Sequence, residues 1–150
     1  MGKKRDINVR IVRIMSSIIF IISILVVLGW IFDITFLKSI LPNWVTMKFS
    51  TALAFSSSSI LLYYISLLIE EKTKCYKTII TMSSLCILIL MLPALFQMIT
   101  KVNFGVDNIF VEDKADILTP FPGRPASGTI IGFMILGLVG ISASLKDQKN

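Results

Sequence analysis

The sequence contains no histidine, and only 16% of its 150 residues are charged. Without an imidazole, histidine-ligated haem and histidine-based catalysis are excluded. Only two cysteines are present, Cys75 and Cys86, and without a CxxC spacing they give little support to a redox or metal site. The chain also shows no phosphate-binding loop, no nucleophile–base pair and no paired acids in an apolar segment. We therefore expect a protein that is not an enzyme and that needs no cofactor or metal.

The sequence is instead rich in long apolar runs. Hydrophobic residues make up 55% of the chain and the mean hydropathy is +0.82, which is too apolar for a soluble domain of this length. A membrane-spanning helix needs about 20 predominantly apolar residues. The sequence predicts an all-α integral membrane protein, a four-transmembrane-helix bundle forming one domain over residues 1–150. Four segments without any charged residue are the predicted spans: residues 14–32, 49–69, 78–99 and 129–145.

The first apolar run follows a basic stretch, as a secretory signal peptide would. Its apolar core is longer than that of a typical signal, and no small-x-small cleavage site follows it. Trp30 stands near its end, where aromatic side chains commonly anchor a helix at the membrane interface. We therefore interpret this run as a retained span.

The basic residues are distributed unevenly between the predicted loops, which orients the bundle. Ten of the fifteen lie on one side, and basic loops remain in the cytoplasm. We predict a multi-pass protein of the cell (inner or plasma) membrane with both termini cytoplasmic, in contact with membrane lipids and not with nucleic acid. The ten residues are Lys3, Lys4, Arg5, Arg10, Arg13, Lys72, Lys74, Lys77, Lys146 and Lys149.

The two predicted outer loops, residues 33–48 and 100–128, differ in length. In the first, apolar residues from Ile34 to Leu41 predict a short helix at the membrane surface, with Lys38 toward water. Pro42 would end this helix. The first part of the second loop mixes apolar and acidic residues, which predicts a short helix. The rest is rich in proline and glycine, which predicts an irregular segment before the fourth span.

The chain enters two of its spans with similar sequences. "MKFSTALAF" precedes the second span and "GRPASGTIIGF" precedes the fourth, so that Thr51 matches Thr129 and Phe55 matches Phe133. This pattern predicts two repeated helical hairpins related by an axis along the membrane normal. Chance similarity between apolar segments is the alternative.

Small and hydroxyl-bearing residues are concentrated in the second and fourth spans. Small residues allow helices to approach closely in lipid, and hydroxyls hydrogen-bond across the interface or back to their own helix. Helix packing is the favoured interpretation, and a polar cavity lined by serines is the alternative. The residues predicted to pack are Ser56, Ser59, Gly128, Gly132 and Gly137.

Four charged residues of the outer loops define the predicted ligand site. Lys48 and Arg124 occupy matching places before the second and fourth spans, and Asp33 and Asp107 occupy matching places after the first and third. One interpretation has the two basic side chains reaching lipid phosphates at the interface. The other groups all four residues as a pocket for an anionic or polar ligand.

Two stretches resemble a known family. "GWIFDITFLKSILPNWVTMKFSTALAF" is similar to the N-terminal membrane regions of bacterial and archaeal sensor histidine kinases and diguanylate cyclases, and "PFPGRPASGTIIGFMILGL" resembles their second half. The resemblance covers residues 29–141. Phe49 and Ser50 replace the usual Pro-Asn, and Pro125 replaces a methionine.

The resemblance implies a membrane-embedded sensory input module. Such regions normally continue into PAS, kinase or cyclase domains, whereas this sequence stops shortly after the fourth span at "KDQKN". We expect a detached module that acts through a separate histidine kinase or other signalling protein, or a truncated relic. The alternative is a small structural or pore-forming membrane protein of the holin, immunity or accessory-subunit kind, in which the serines line a homo-oligomeric interface or a pore.

Overall fold

The computed structural model describes residues 2–38, 47–70, 74–101 and 124–146, and within these ranges every regular element is a helix. Each of the four long helices is long and apolar enough to cross a membrane. The predicted all-α bundle of four membrane-spanning helices is therefore confirmed. The elements are α1 (Gly2–Ile31), α2 (Thr35–Lys38), α3 (Phe49–Glu70), α4 (Lys74–Thr100) and α5 (Ser127–Lys146).

Helix α1 extends further toward the N-terminus than the predicted span. Its membrane-length stretch is Ile7–Ile31, which includes Arg10 and Arg13. A charged side chain stops an apolar run without stopping a helix, because the long aliphatic stem of arginine lies along apolar surface while its head reaches a polar partner. The helix therefore begins before the predicted span, and the bounds of the span itself stay a prediction.

Two helices end on a residue with left-handed backbone conformation. Asp33 (φ 56°) follows α1, where the Ile34 amide donates to the Gly29 carbonyl. Lys101 (φ 57°) follows α4, where its own amide donates to the Gln97 carbonyl. Both arrangements satisfy carbonyls that the last helical turn leaves without partners, and glycine is the residue that usually allows them.

The long helices pack in chain order, α1 on α3, α3 on α4 and α4 on α5, with a smaller contact between α3 and α5. Consecutive long helices are antiparallel, and α3 and α5 are parallel. Helix α1 lies on α3 beside a three-helix unit formed by α3, α4 and α5. The main buried apolar cluster belongs to that unit and contains Ala54, Leu61, Ile80, Ile87, Met91, Ala94, Ile130 and Phe133.

We name the two ends of the bundle after residues of α1. The Arg13 end holds the first half of α1, the C-terminus of α3, the N-terminus of α4 and the C-terminus of α5. The Trp30 end holds the opposite ends of these helices. Because the chain crosses the bundle four times, Gly2 and Lys146 both lie at the Arg13 end.

The predicted repeat matches part of this arrangement. Phe55 of α3 and Phe133 of α5, which the repeat pairs, contact each other edge-to-face with ring centroids 4.9 Å apart. A full two-fold axis would also require α5 to pack on α1 as α3 packs on α4. Among the described residues, no contact of that extent joins α1 to α5. The duplication therefore stays a prediction.

Candidate functional site between helices α1 and α3

A charged contact joins α1 to α3 at the Arg13 end. The Arg13 guanidinium donates from Nε to Ser66 Oγ (3.1 Å) and from a terminal nitrogen to the Ser66 carbonyl (3.4 Å), and it forms an ion pair with Glu70. The last carbonyls of a helix lack intrahelical donors and carry partial negative charge, so a cation is favoured there. Arg13 thus fixes the height of α1 against the last turn of α3.

A buried pair of hydroxyls joins the same helices further along. Ser23 Oγ and Ser56 Oγ lie 2.9 Å apart, and the two residues are 1% and 9% exposed. Each hydroxyl also lies within hydrogen-bonding distance of a carbonyl of its own helix, Ser23 at Phe20 and Ser56 at Ala52. Ser56, predicted to pack helices, therefore does so through a polar contact that brings the two backbones close.

At the Trp30 end, α1 is held to the segment that begins α3. The indole Nε1 of Trp30 donates to the Met47 carbonyl (2.8 Å), and the Lys38 ammonium lies 4.6 Å from the centre of the indole ring. Lys38 also forms an ion pair with Asp33. Its side chain is only 10% exposed, so the prediction that Lys38 points to water is wrong. The cation–π contact and the nearby carboxylate attract the ammonium inward.

Between the Arg13 and Ser23 contacts, α1 and α3 leave an open groove of about 300 Å³. Its walls are mostly apolar and aromatic, with hydroxyls at intervals. This composition suits an apolar ligand that carries one or two polar atoms. The lining residues are Ser16, Ser17, Phe20, Ile21, Ser59, Ile60, Tyr63 and Tyr64. Ser59, predicted to pack helices, is buried and donates to the Phe55 carbonyl of its own helix (2.7 Å).

Helices α4 and α5 pack closely at two glycines. A methyl group at Gly137 would lie 2.9 Å from Leu88 Cδ2, and one at Gly140 would collide with Ser84 Oγ and approach Leu61. The same interface contains a hydrogen bond of 2.8 Å between Thr81 and Ser144. Gly137 is among the residues predicted to pack, whereas Gly140 is not.

Gly128 and Gly132 do not share this role in the described part of the chain. No atom lies within 4 Å of the position that a methyl group would take at either residue, and both are exposed. The G-x-x-x-G spacing that suggested a packing face therefore lies on a side of α5 that does not face α4. The spacing alone cannot show how a helix is rotated about its axis.

The four predicted ligand residues are placed as follows. Asp33 carries its left-handed backbone and pairs with Lys38, a residue the prediction did not include. Lys48 is buried, 8% exposed, immediately before α3, and Arg124 is half-buried shortly before α5. Asp107 lies outside the described residues. Their grouping as one pocket stays a prediction.

A second polar feature lies at the Trp30 end, inside the three-helix unit. Gln97 of α4 is fully buried, and neither of its amide atoms has a hydrogen-bond partner within the described ranges. The Ser50 hydroxyl on α3 is also buried, and it also has no hydrogen-bond partner there. In the sequence Gln97 is a lone amide in a span without charge, a signal that does not reveal whether the side chain turns inward.

Chemically reactive groups are sparse in the described ranges. No group of three histidine, cysteine or acidic side chains is placed to hold a metal there. Cys75 and Cys86 are both free thiols on exposed positions, and Cys86 accepts a hydrogen bond from Ser57 (3.4 Å).

The fold and these contacts define a multi-pass, all-α membrane protein whose helices are joined by hydroxyl, glycine and arginine contacts. Comparison with protein families, with curated proteins and with solved structures finds no match to this chain.

Proposed function

We propose that this chain is a sensory or regulatory module of the cell membrane, which reads a lipid or lipophilic molecule and acts through a separate signalling partner. The observation that carries the proposal is the peripheral position of α1, which packs on α3 and leaves most of its surface outside the bundle. In the most apolar stretch of each helix, 17% of the residues are buried in α1, against 33%, 33% and 28% in α3, α4 and α5. Helix α1 is thus the element most able to shift against the rest.

The contacts of α1 with α3 favour two alternative packings over one rigid state. They consist of three polar contacts spaced along α1, Arg13 on Ser66, Ser23 on Ser56 and Trp30 on the Met47 carbonyl, and of an apolar cluster at the Trp30 end that contains Val26, Trp30 and Ala52. Interhelical hydrogen bonds in membranes contribute about 0.6–2 kcal/mol each, so a ligand with modest differential affinity is enough to change the populations. The α1–α3 groove lies between two of these contacts, where an inserted apolar chain would press on α1.

The partner would bind at the Arg13 end. The excess of basic residues in the segments at this end supports a cytoplasmic location by the positive-inside rule, and Gly2 and Lys146 both lie there. A shift of α1 would therefore change the surface that a cytoplasmic partner contacts. The resemblance to sensor-kinase membrane regions supports a histidine kinase or another signalling protein as the partner.

Distance measurements between spin labels would test the movement of α1. The full chain with Cys75→Ser and Cys86→Ser, in lipid nanodiscs, carries labels at Ile11→Cys on α1 and Met82→Cys on α4, two exposed positions toward the Arg13 end. We expect two distance populations whose ratio changes when a long-chain fatty acid is added. Labels at Met82→Cys and Leu145→Cys, both within the three-helix unit, form the control pair and should not respond.

A single distance that ignores the fatty acid in the Ile11/Met82 pair would contradict the proposal. The ligand site is checked with a photoreactive fatty acid, which should label residues of the α1–α3 groove. Ser17→Trp fills the groove from an exposed position and should abolish that labelling. Ile18→Trp, one residue on and outside the lining, is the matched control and should leave the labelling unchanged.

A pore-forming function predicts a different outcome. It would need the serines of α3 to face an aqueous lumen. Ser56, Ser58 and Ser59 are instead buried against neighbouring helices, and each lies within hydrogen-bonding distance of a carbonyl in α3. Dose-dependent dye release from liposomes containing the protein would favour the pore, and vesicles that stay tight would favour the sensory module.

A further inference from the structure

The three-helix unit carries two buried polar groups that its fold leaves unsatisfied. Gln97 is 0% exposed and both Nε2 and Oε1 lack hydrogen-bond partners within the described ranges, as does Ser50 Oγ. A buried polar group without a partner costs about 1–3 kcal/mol, and in lipid there is no bulk water to compensate it. Two such residues close together therefore point to a bound molecule that supplies the missing hydrogen bonds.

Helix register places the two residues against each other. Ser57 Oγ donates to Cys86 Sγ, so these positions lie in the contact between α3 and α4. Ser50 precedes Ser57 by seven residues, about two turns, and Gln97 follows Cys86 by eleven residues, about three turns. Both side chains therefore point into the α3–α4 contact at the Trp30 end, offset from each other by about one turn.

Groups that carry full or partial positive charge lie in the same region. Lys48, 8% exposed, lies directly before α3, whose N-terminus carries partial positive charge. The antiparallel contacts of Gly137 with Leu88 and of Gly140 with Ser84 bring Gln97 level with Gly128, so the N-terminus of α5 lies at this height as well. Two helix N-termini and a buried lysine favour an anion.

We propose that Gln97 and Ser50 form a binding site for a phosphate monoester, either the headgroup of a phosphomonoester lipid or a free phosphate. Gln97 Nε2 and Ser50 Oγ donate to phosphate oxygens, and Lys48 supplies opposite charge. Gln97 Oε1 needs a donor, which the monoanion of a phosphomonoester provides through its one P–OH group. Because the second pKa is near 6, the monoanion is the minor form at pH 7, and it is the form that this site selects. A phosphodiester has no such proton and leaves Oε1 without a partner.

This site lies at the opposite end of the bundle from the Arg13 contact and on a different helix pair from the α1–α3 groove. It does not depend on the proposed signalling function. Gln97 is one turn from the last residue of α4, so a headgroup needs to enter only one turn deep from the Trp30 end.

Native mass spectrometry of the full chain tests the site in three lipid settings. Phosphatidylcholine nanodiscs contain phosphatidic acid in the first, phosphatidylmethanol in the second, and neither lipid but inorganic phosphate in the buffer in the third. We expect one retained phosphatidic acid if the source is lipid, or one retained phosphate if it is free. Phosphatidylmethanol, an anionic diester whose headgroup has no hydrogen-bond donor, should be retained at least about tenfold less.

Gln97→Leu is the decisive variant. It replaces an unpartnered amide with an apolar side chain of similar size, so folding should be kept and thermal stability without ligand should rise. Retention of the phosphomonoester should fall about tenfold or more. Met91→Leu, at another fully buried position of α4, is the matched control and should bind as the unmodified protein does.

Ser50→Ala gives an independent reading and should also weaken retention. Its control is Ser58→Ala, because Ser58 is buried in the same helix and bonds its own backbone at the Ala54 carbonyl. Equal retention of phosphatidic acid and phosphatidylmethanol would overturn the proposal. So would undiminished retention in Gln97→Leu, since the two residues would then hold only a buried water.

Discussion

Arg13 carries the strongest polar contact between α1 and α3. Its guanidinium donates to the Ser66 hydroxyl and the Ser66 carbonyl and pairs with Glu70, so one side chain of α1 makes three contacts with the last turns of α3. The arginine interrupts the apolar run that defined the first span. A residue that marks the edge of a span by hydropathy is therefore part of the helix contact.

We expect Arg13→Leu to weaken the attachment of α1 by about 1–2 kcal/mol, as for a hydrogen-bonded charge of which part remains exposed. Leucine keeps the apolar contact of the arginine stem and removes only the donors. Thermal unfolding in detergent measures the effect. Arg10→Leu, at an exposed position of the same helix, is the control, and an equal effect of the two substitutions would show that the Arg13 contact contributes nothing specific.

The glycines of α5 differ in what surrounds them. A side chain at Gly140 meets Ser84 and Leu61, whereas one at Gly132 meets no described atom within 4 Å. Overpacking of a filled contact costs about 1–3 kcal/mol. We expect Gly140→Leu to destabilise the fold by this amount and Gly132→Leu to be neutral or slightly stabilising, since leucine favours the helix more than glycine does. The measurement is the thermal unfolding midpoint of each variant in the same detergent. An equal decrease of the midpoint in both variants would contradict the packing described.

Among the helices, α1 and α4 each end at a residue with a strained backbone conformation. Asp33 and Lys101 both adopt the left-handed conformation in which a side chain is disfavoured. Aspartate is accepted there more readily than most residues, because its short polar side chain can bond locally. Lysine has no such compensation.

Lys101→Gly should therefore stabilise α4 at its C-terminus. Removing the left-handed strain stabilises the folded state by about 1–2 kcal/mol. The greater conformational freedom of glycine in the unfolded chain offsets part of this, so we expect the free energy of unfolding to rise by about 1 kcal/mol. Thermal unfolding checks the gain. Ser142→Gly, at an exposed position within α5, is the contrasting substitution and should cost about 0.5–1 kcal/mol. A loss of stability in Lys101→Gly would be the contrary result.

At the scale of the whole molecule, hydropathy predicted the number and class of the helices because each span must be apolar along its full length. It did not predict their rotation. Ser56 meets Ser23, and Gly137 meets Leu88, only because of how each helix turns about its axis. The hydropathy of α3 and α5 is high on every side, so no face is marked in advance. The buried amide of Gln97 was likewise visible as a residue but not as an inward-facing group.

The orientation of the bundle follows from charge, and a thiol at each end can report it. Cys75 is exposed near the start of α4 at the Arg13 end, and Lys101 is exposed at the Trp30 end. With Cys86→Ser, a membrane-impermeant maleimide should label Cys75 in inside-out vesicles and not in intact cells, because the positive-inside rule applied to the ten basic residues predicts a cytoplasmic Arg13 end. Lys101→Cys, in a chain with Cys75→Ser and Cys86→Ser, should show the opposite pattern. Labelling of Cys75 from outside would place the Arg13 end outside the cytoplasm and would remove the basis for a cytoplasmic partner at that end.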